Sequence, residues 1–379
     1  MNTTQDEAVD AGDEDEDEQR YSITRREGFL RFAEGPVRTR PARYTRAELE
    51  KMPTRERARY RNARMVWSAN IGPIKTPQLT ELHEDLAEIV DANRQDGDKQ
   101  KPAALVDAYP GLGKTTAVLD FIRDYHLEQV ELRGAFTKDG HRRVPVAYID
   151  LSGNTQIRGL NAALCRFYHL PETGNADVLA ERAKDACLSL DTRVIVIDDL
   201  HFLAPVKTDA NSVRMANQLK FLANTFPVTL IYIGVEVMSR GILAEGGSLQ
   251  EALFAQFGRR TTPLSMRPFQ VEDDAGRREW RLLLKSIERQ LVLADQYPGM
   301  LAEDLSDYLY ARSTGHFHSL MCLITRGCAR AIRTGHEKLD EGLMARVKND
   351  AAAEAERKEL EAKLEAGLMT TRPSGGGRG

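Results

Sequence analysis

Ala108-Tyr109-Pro110-Gly111-Leu112-Gly113-Lys114-Thr115-Thr116 lies between a short apolar run, Ala103–Val106, and an amphipathic stretch, Thr116–His126. One helical face of that stretch carries Val118, Phe121, Ile122 and Tyr125. Strand, glycine-rich turn and helix are therefore expected in succession, which is the setting a phosphate-binding loop requires. Gly111 and Gly113 let backbone N–H groups turn inward around an anion, and the start of the helix adds the positive end of its dipole. Pro110, Gly111, Leu112, Gly113, Lys114, Thr115 and Thr116 are the expected nucleotide contacts. Lys114 is expected to reach the β- and γ-phosphates, and the Thr115 hydroxyl to ligate Mg²⁺. Ala108 stands where the pattern G-x-x-x-x-G-K-[ST] begins with glycine. Alanine takes a positive φ poorly, so the start of the loop is expected to differ.

A second apolar run, Val194–Ile197, ends in Asp198-Asp199. Two carboxylates closing a buried strand are costly unless their charge has a partner. Beside a phosphate loop, Asp198 is expected to hold Mg²⁺ through its water shell and Asp199 to orient or activate an attacking water. Aspartate is one methylene shorter than the glutamate more usual at the second position, so hydrolysis is expected to be slow. Downstream, Val228–Ile233 runs into Gly234-Val235-Glu236, and Val235 cannot sense a γ-phosphate. Arg259 and Arg260 precede the strand-like Thr261–Ser265, where one of them is expected to complete the ATP site of a neighbouring subunit.

Outward from these motifs the periodicity sets the architecture. Ala103–Val106, Val144–Ile149, Val194–Ile197 and Val228–Ile233 read as buried strands, alternating with helical stretches such as Ile157–Phe167. That alternation predicts an α/β sandwich on a mainly parallel sheet. Leu82, Leu86, Ile89 and Val90 form the apolar stripe of a helix before it. After Pro268 the strand signals stop, and Arg277–Leu293, Ala302–Ala311, Ser319–Arg333 and Leu339–Leu364 all read as helices. The expected division is an acidic disordered tail over 1–20, a basic arm over 21–79, the α/β domain over 80–268, a helical domain with a C-terminal helix over 269–368, and a flexible tail over 369–379.

Charge is distributed unevenly. The 379 residues carry a net charge of −4, yet residues 1–20 hold nine acids and one base, and residues 21–75 hold fourteen bases and five acids. Arg55, Arg57, Arg59, Arg61 and Arg64 lie close together, with Tyr44, Tyr60 and Trp67 interleaved in the same region. Such a stretch can neutralise the phosphates of duplex DNA and stack on bases, or dock an acidic partner. The acidic tail could compete for the same arginines. With 41% hydrophobic residues, global disorder is excluded. No apolar run approaches the roughly 18 residues of a membrane span, and the acidic N-terminus has no signal-peptide core. The four cysteines include no C-x-x-C pair, so a reduced, cytoplasmic chain without zinc is expected.

Taken in order, the phosphate loop, Val144–Leu151, Ile197-Asp198-Asp199-Leu200-His201-Phe202-Leu203, Asn217-Gln218-Leu219-Lys220-Phe221-Leu222-Ala223-Asn224 and Gly258-Arg259-Arg260 resemble the TniB/TnsC family of transposon-encoded AAA+ ATPases. The resemblance spans about Ile71 to Ile332. It implies an AAA+ core with a small helical lid, ATP and Mg²⁺ as cofactors, and assembly as a homo-oligomer, a filament or open ring, on duplex DNA. It also implies delivery of target DNA to a transposase of the integrase type. Ala108, Asp199 and Val235 depart from the family pattern, and Gly315-His316-Phe317-His318 lacks the arginine that many lids carry as a second sensor. Two other readings stay open: a weakly hydrolysing, nucleotide-dependent adaptor for a protein partner, and an ATPase of a defence or signalling operon.

Overall fold

Four runs rich in Val, Ile, Leu and Ala become strands because each is too short and too apolar for anything but a covered sheet, and a fifth, the more polar Thr-Thr-Pro-Leu-Ser, adds a strand at one edge. In the computed structural model, which describes residues 20–95, 101–153, 155–203, 220–235, 237 and 259–374, they are β1 (Ala103–Asp107), β2 (Val146–Asp150), β3 (Val194–Asp198), β4 (Thr229–Gly234) and β5 (Thr261–Ser265). All pairings are parallel, in the order β2-β3-β4-β1-β5. Strands 2 and 3 meet in the register Asp150↔Asp198, and strands 1 and 4 in Asp107↔Gly234. The carboxyl ends of the strands thus share one rim of the sheet, the place where open parallel sheets bind ligands.

The chain divides into two units, residues 21–35 with 75–268, and residues 36–74 with 269–374 among those described. In the first, the sheet is joined by α1 (Arg26–Glu34), α4 (Pro77–Ala92), α5 (Lys114–Arg133), α6 (Ile157–Phe167) and α7 (Ala176–Ser189), and residues 220–225 are also helical. Helix α4 starts where the Thr76 hydroxyl accepts from the Leu79 N–H at 3.2 Å and Pro77 takes the first position, both good N-terminal signals. It buries Leu79, Leu82, Leu86 and Val90. Helix α1 is fastened to α5 through Phe29, which packs edge-on against His126, and through Glu34, which bonds His126 at 2.9 Å.

The second unit is all helical: α2 (Arg46–Lys51), α3 (Thr54–Ala69), α8 (Asp274–Gln290), α9 (Ser306–Ser313), α10 (Phe317–Thr334), α11 (Glu341–Met344) and α12 (Ala351–Glu365). Its core holds Trp280, Leu283, Leu284, Ile287, Leu320, Leu323, Ile324 and Cys328. Residues 21–79 therefore do not form one arm, since they are shared between the two units. The expected helix Leu339–Leu364 is broken in two. Asp340 and Asp350 each cap a new helix start, accepting from Leu343 N and Ala353 N at 2.9 and 3.0 Å. Arg312, 1% exposed, holds the intervening carbonyls of Met344 and Val347 at 3.2 and 2.7 Å. Ala302–Ala311 is likewise divided, because the Glu288 carboxylate takes the Gly299 and Leu301 N–H groups and a π-turn over Met300–Asp304 precedes α9. Residues 369–374 are packed rather than loose: Thr371 is fully buried and bonds Ser306 at 2.6 Å and Asp307 through its N–H at 2.9 Å. No helix among the described residues is long and apolar enough to cross a membrane.

Candidate nucleotide site

β1 ends at Asp107, and the chain turns through residues 108–113 into α5, whose first residue is Lys114. Gly111 and Gly113 have φ of 78° and 85°, in the region that costs a Cβ-bearing residue about 1–2 kcal/mol. Gly113 caps α5 with no side-chain bond, so the N–H groups of the first turn are offered to whatever anion lies in the loop. Ala108 is buried and does not have a positive φ. The alanine in place of glycine therefore sits where its Cβ is tolerated.

Lys114 is 8% exposed, and its Nζ donates to the carbonyls of Ala108 and Tyr109, both at 2.8 Å. Burial holds its ammonium below the usual lysine range, against the opposing charges of Asp107, Asp198 and Asp199. The Thr115 hydroxyl donates to Asp198 Oδ2 at 2.9 Å. The same oxygen accepts from the Tyr148 hydroxyl at 2.7 Å, and Asp198 Oδ1 accepts from the Asp199 N–H at 2.7 Å. Asp198, 5% exposed, thus has a donor on both oxygens, which is what lets a charged strand end stay buried. β4 lies between the strands that carry the loop and the acids, so it is sheet order that brings Thr115 to Asp198 across 83 positions.

Two residues of this site were not singled out from sequence. Tyr148 is one; its phenol is pushed up by burial and then by the charge of Asp198, to which it donates. Asp150 is the other, at the exposed end of β2. Its carboxyl is pushed up to about 6 by desolvation first, then by the charges of Asp199 and Asp198 and by a hydrogen bond with Asp199. The available signal was the strand-end position of Asp150, which repeats that of Asp198 one strand away. Asp199 itself has φ 54°, a left-handed conformation that aspartate adopts more readily than most residues. Asp107 accepts from the Val237 N–H at 3.0 Å.

These groups fit a magnesium–nucleotide. Hydroxyl and carboxylate oxygens are the hard donors that Mg²⁺ takes, and Thr115 and Asp198 already bring theirs together. Bound there, the cation would supply positive charge to the phosphate oxygens.

Other expected residues lie elsewhere. Arg259 and Arg260 are exposed turn residues at the start of β5, and the Arg260 carbonyl accepts from Ala103 N at 2.8 Å. Ala103 is the opposite end of β1 from Asp107, and four residues of strand at 3.3 Å each put about 13 Å between that end and the loop. The pair is therefore apart from the site of its own chain. Arg55, Arg57, Arg59 and Arg61 are exposed on α3. Arg64 is not: it is 4% exposed and grips Glu337 with both guanidinium nitrogens at 2.6 and 3.0 Å. Its expected DNA contact is corrected to a packing role, because a desolvated guanidinium needs the carboxylate. The interleaved aromatics also turn inward. Tyr60 donates to the Ala42 carbonyl at 2.6 Å and packs edge-on with Tyr44, and Trp67 donates to the Gln290 carbonyl at 2.7 Å. Glu236, Gly258, Asn217–Leu219 and the acidic stretch before Arg20 lie outside the described residues.

Residues 95–242 match the family model of an AAA domain. No curated protein matches the chain. Among solved structures, the ORC2 protein of Aeropyrum pernix, in ADPNP and ADP complexes, is similar at 16% identity and a TM-score of 0.54, covering 79% of this chain and 72% of that one. The Cdc6p of Pyrobaculum aerophilum is similar at 16% identity and a TM-score of 0.48, covering 71% of this chain and 66% of that one. Identity this low speaks for the fold alone, and only the first overlay carries that argument. The fold is that of an AAA+ P-loop α/β domain with a helical C-terminal portion.

Proposed function

We propose that the chain is an AAA+ ATPase that binds Mg²⁺-ATP, assembles head-to-tail on duplex DNA and delivers that DNA to a transposase of the integrase type. The observation that carries the nucleotide part is the Thr115–Asp198 contact at 2.9 Å beside the buried Lys114. The loop with Thr115 and the acid pair Asp198-Asp199 come from two stretches 83 positions apart, and an empty structural role does not require them to meet. The reaction is ATP + H₂O to ADP and phosphate, with Asp199 orienting or activating the water and Arg259 or Arg260 of a neighbouring copy stabilising the transferring phosphoryl group. The exposed Arg55, Arg57, Arg59 and Arg61 support a salt-dependent, sequence-independent hold on DNA. The transposase rests on the family resemblance.

A second reading, a weakly hydrolysing adaptor that binds a protein partner, draws on Asp199, whose short carboxylate sits on a left-handed backbone. Turnover with and without duplex DNA separates the two. The first reading expects ATP hydrolysis that rises several-fold with DNA and is lost in Lys114→Ala, together with ATP binding. A folded Lys114→Ala chain that binds ATP as tightly as the parent would refute the nucleotide site. Hydrolysis indifferent to DNA would favour the adaptor.

A further inference from the structure

Within the helical unit, α2, α3 and the last turn of α10 enclose a pocket of about 490 Å³. Five arginines and two glutamates line it, but the charges are not equally available. Arg64 is spent on Glu337. Arg46 is spent on Asp295, with Nε at 3.0 Å, and on the Gly335 and His336 carbonyls at 3.0 and 3.2 Å. That second engagement covers the negative end of the α10 dipole, which would otherwise repel an anion. Three guanidinium groups remain, those of Arg57, Arg61 and Arg333, all exposed. Arg57 is oriented by the Glu50 and Met52 carbonyls at 2.6 and 3.1 Å, which uses only part of its five donors. Arg61 and Arg333 have no hydrogen bond or ion pair among the described residues. Arg57 and Arg61 lie four apart on α3 and so share a face, while Arg333 comes from a different helix.

We infer that this pocket is a phosphodiester site that seats the backbone of duplex DNA. The inference rests on the DNA-binding reading above and deepens it by naming where one stretch of backbone is held and by adding Arg333, which the arm alone does not contain. Converging guanidinium groups match the two free oxygens of a phosphodiester, and against them the pocket sets one carboxylate, Glu50, that is not committed to an arginine.

The test is fluorescence anisotropy of a short random-sequence duplex at a series of salt concentrations, with the full chain, Arg61→Ala/Arg333→Ala, and Arg278→Ala as an exposed control in the same unit. The double variant is expected to bind about tenfold or more weakly at low salt, and its plot of log affinity against log salt to be shallower by about 2. Its melting temperature should match the parent, and Arg278→Ala should lose far less affinity. Parental affinity and slope in the double variant would overturn the pocket while leaving DNA binding in place. A parent that takes up no duplex at any salt would overturn the DNA reading, and the pocket with it. A polyglutamate chain that binds as tightly as the duplex, and is lost in the same variant, would overturn the assignment to phosphate.

Discussion

Asp198 is the residue on which the site turns, because its two oxygens receive the Thr115 hydroxyl, the Tyr148 hydroxyl and the Asp199 N–H. Truncating it to alanine would strand the Tyr148 hydroxyl, buried at 3% exposure, at about 1–3 kcal/mol. Asp198→Asn is the cleaner change, since it keeps an acceptor and removes the charge. It should weaken Mg²⁺-dependent ATP binding at least tenfold, whereas Asp199→Ala should bind normally and lose about 10²-fold or more in turnover. Equal binding losses, measured by calorimetry, would contradict the division of roles. Asp150 supplies a pH signature. Its folded carboxyl titrates near 6, above the roughly 3.9 of an unfolded aspartate. The folded state therefore binds the extra proton between about pH 4 and 6, and stability falls as pH rises through that window. Above it the penalty is fully present; below it, absent. Asp150→Asn, melted without nucleotide or Mg²⁺, should exceed the parent by about 1 kcal/mol or less at neutral pH, the exposed position screening the charges, and match it at pH near 4.

At the scale of elements, α3 shows how one basic stretch serves two ends. Its arginines run along most of its length, yet Arg64 is buried with Ala63 and Trp67 while Arg55, Arg57, Arg59 and Arg61 face water. Arg64 is held from both sides: Glu337 takes its nitrogens, the Tyr60 ring lies 4.7 Å from its carbon, and Glu337 also accepts from Ala294 N at 3.1 Å. Removing one partner of such a pair leaves the other charged and desolvated. Arg64→Ala should therefore cost about 3–5 kcal/mol, and Arg64→Met with Glu337→Gln should recover most of it. Thermal melts of the two variants decide the matter, and a melting temperature unchanged in Arg64→Ala would return Arg64 to the surface role that its neighbours have.

For the whole molecule the question is assembly. Arg259 and Arg260 sit about 13 Å of strand away from the loop of their own chain, on the far end of the sheet, so any contact they make with a γ-phosphate is with that of another copy. An interface of that kind is head-to-tail, and it gives rings when the rotation closes and filaments when it does not. Sedimentation with an ATP analogue, with ADP and without nucleotide, each with and without duplex, should show large species chiefly with the analogue and DNA. Arg259→Ala and Arg260→Ala, tested singly, should identify which arginine the assembly needs. A chain that stays monomeric under every condition would leave both as surface charge.

What the sequence determined by itself was local. The five strands fall within about two residues of their expected places, four of them because a short aliphatic run bounded by turn residues has few alternatives, and Ile157–Phe167 is helical over the very span its periodicity marks. The phosphate loop was legible because its glycines answer a requirement of φ, not of neighbours. The order of the strands, the meeting of Thr115 with Asp198, the part played by Tyr148 and Asp150, and the burial of Arg64 were decided by tertiary structure. Periodicity records that a face must be covered and is silent on what covers it. The same holds where expectation failed: the chain breaks after Met344 because Arg312, more than thirty residues earlier, claims its carbonyls, and residues 369–374 are ordered because Ser306 and Asp307 offer Thr371 a buried place. Such contacts link positions far apart in the chain, and only folding sets them side by side.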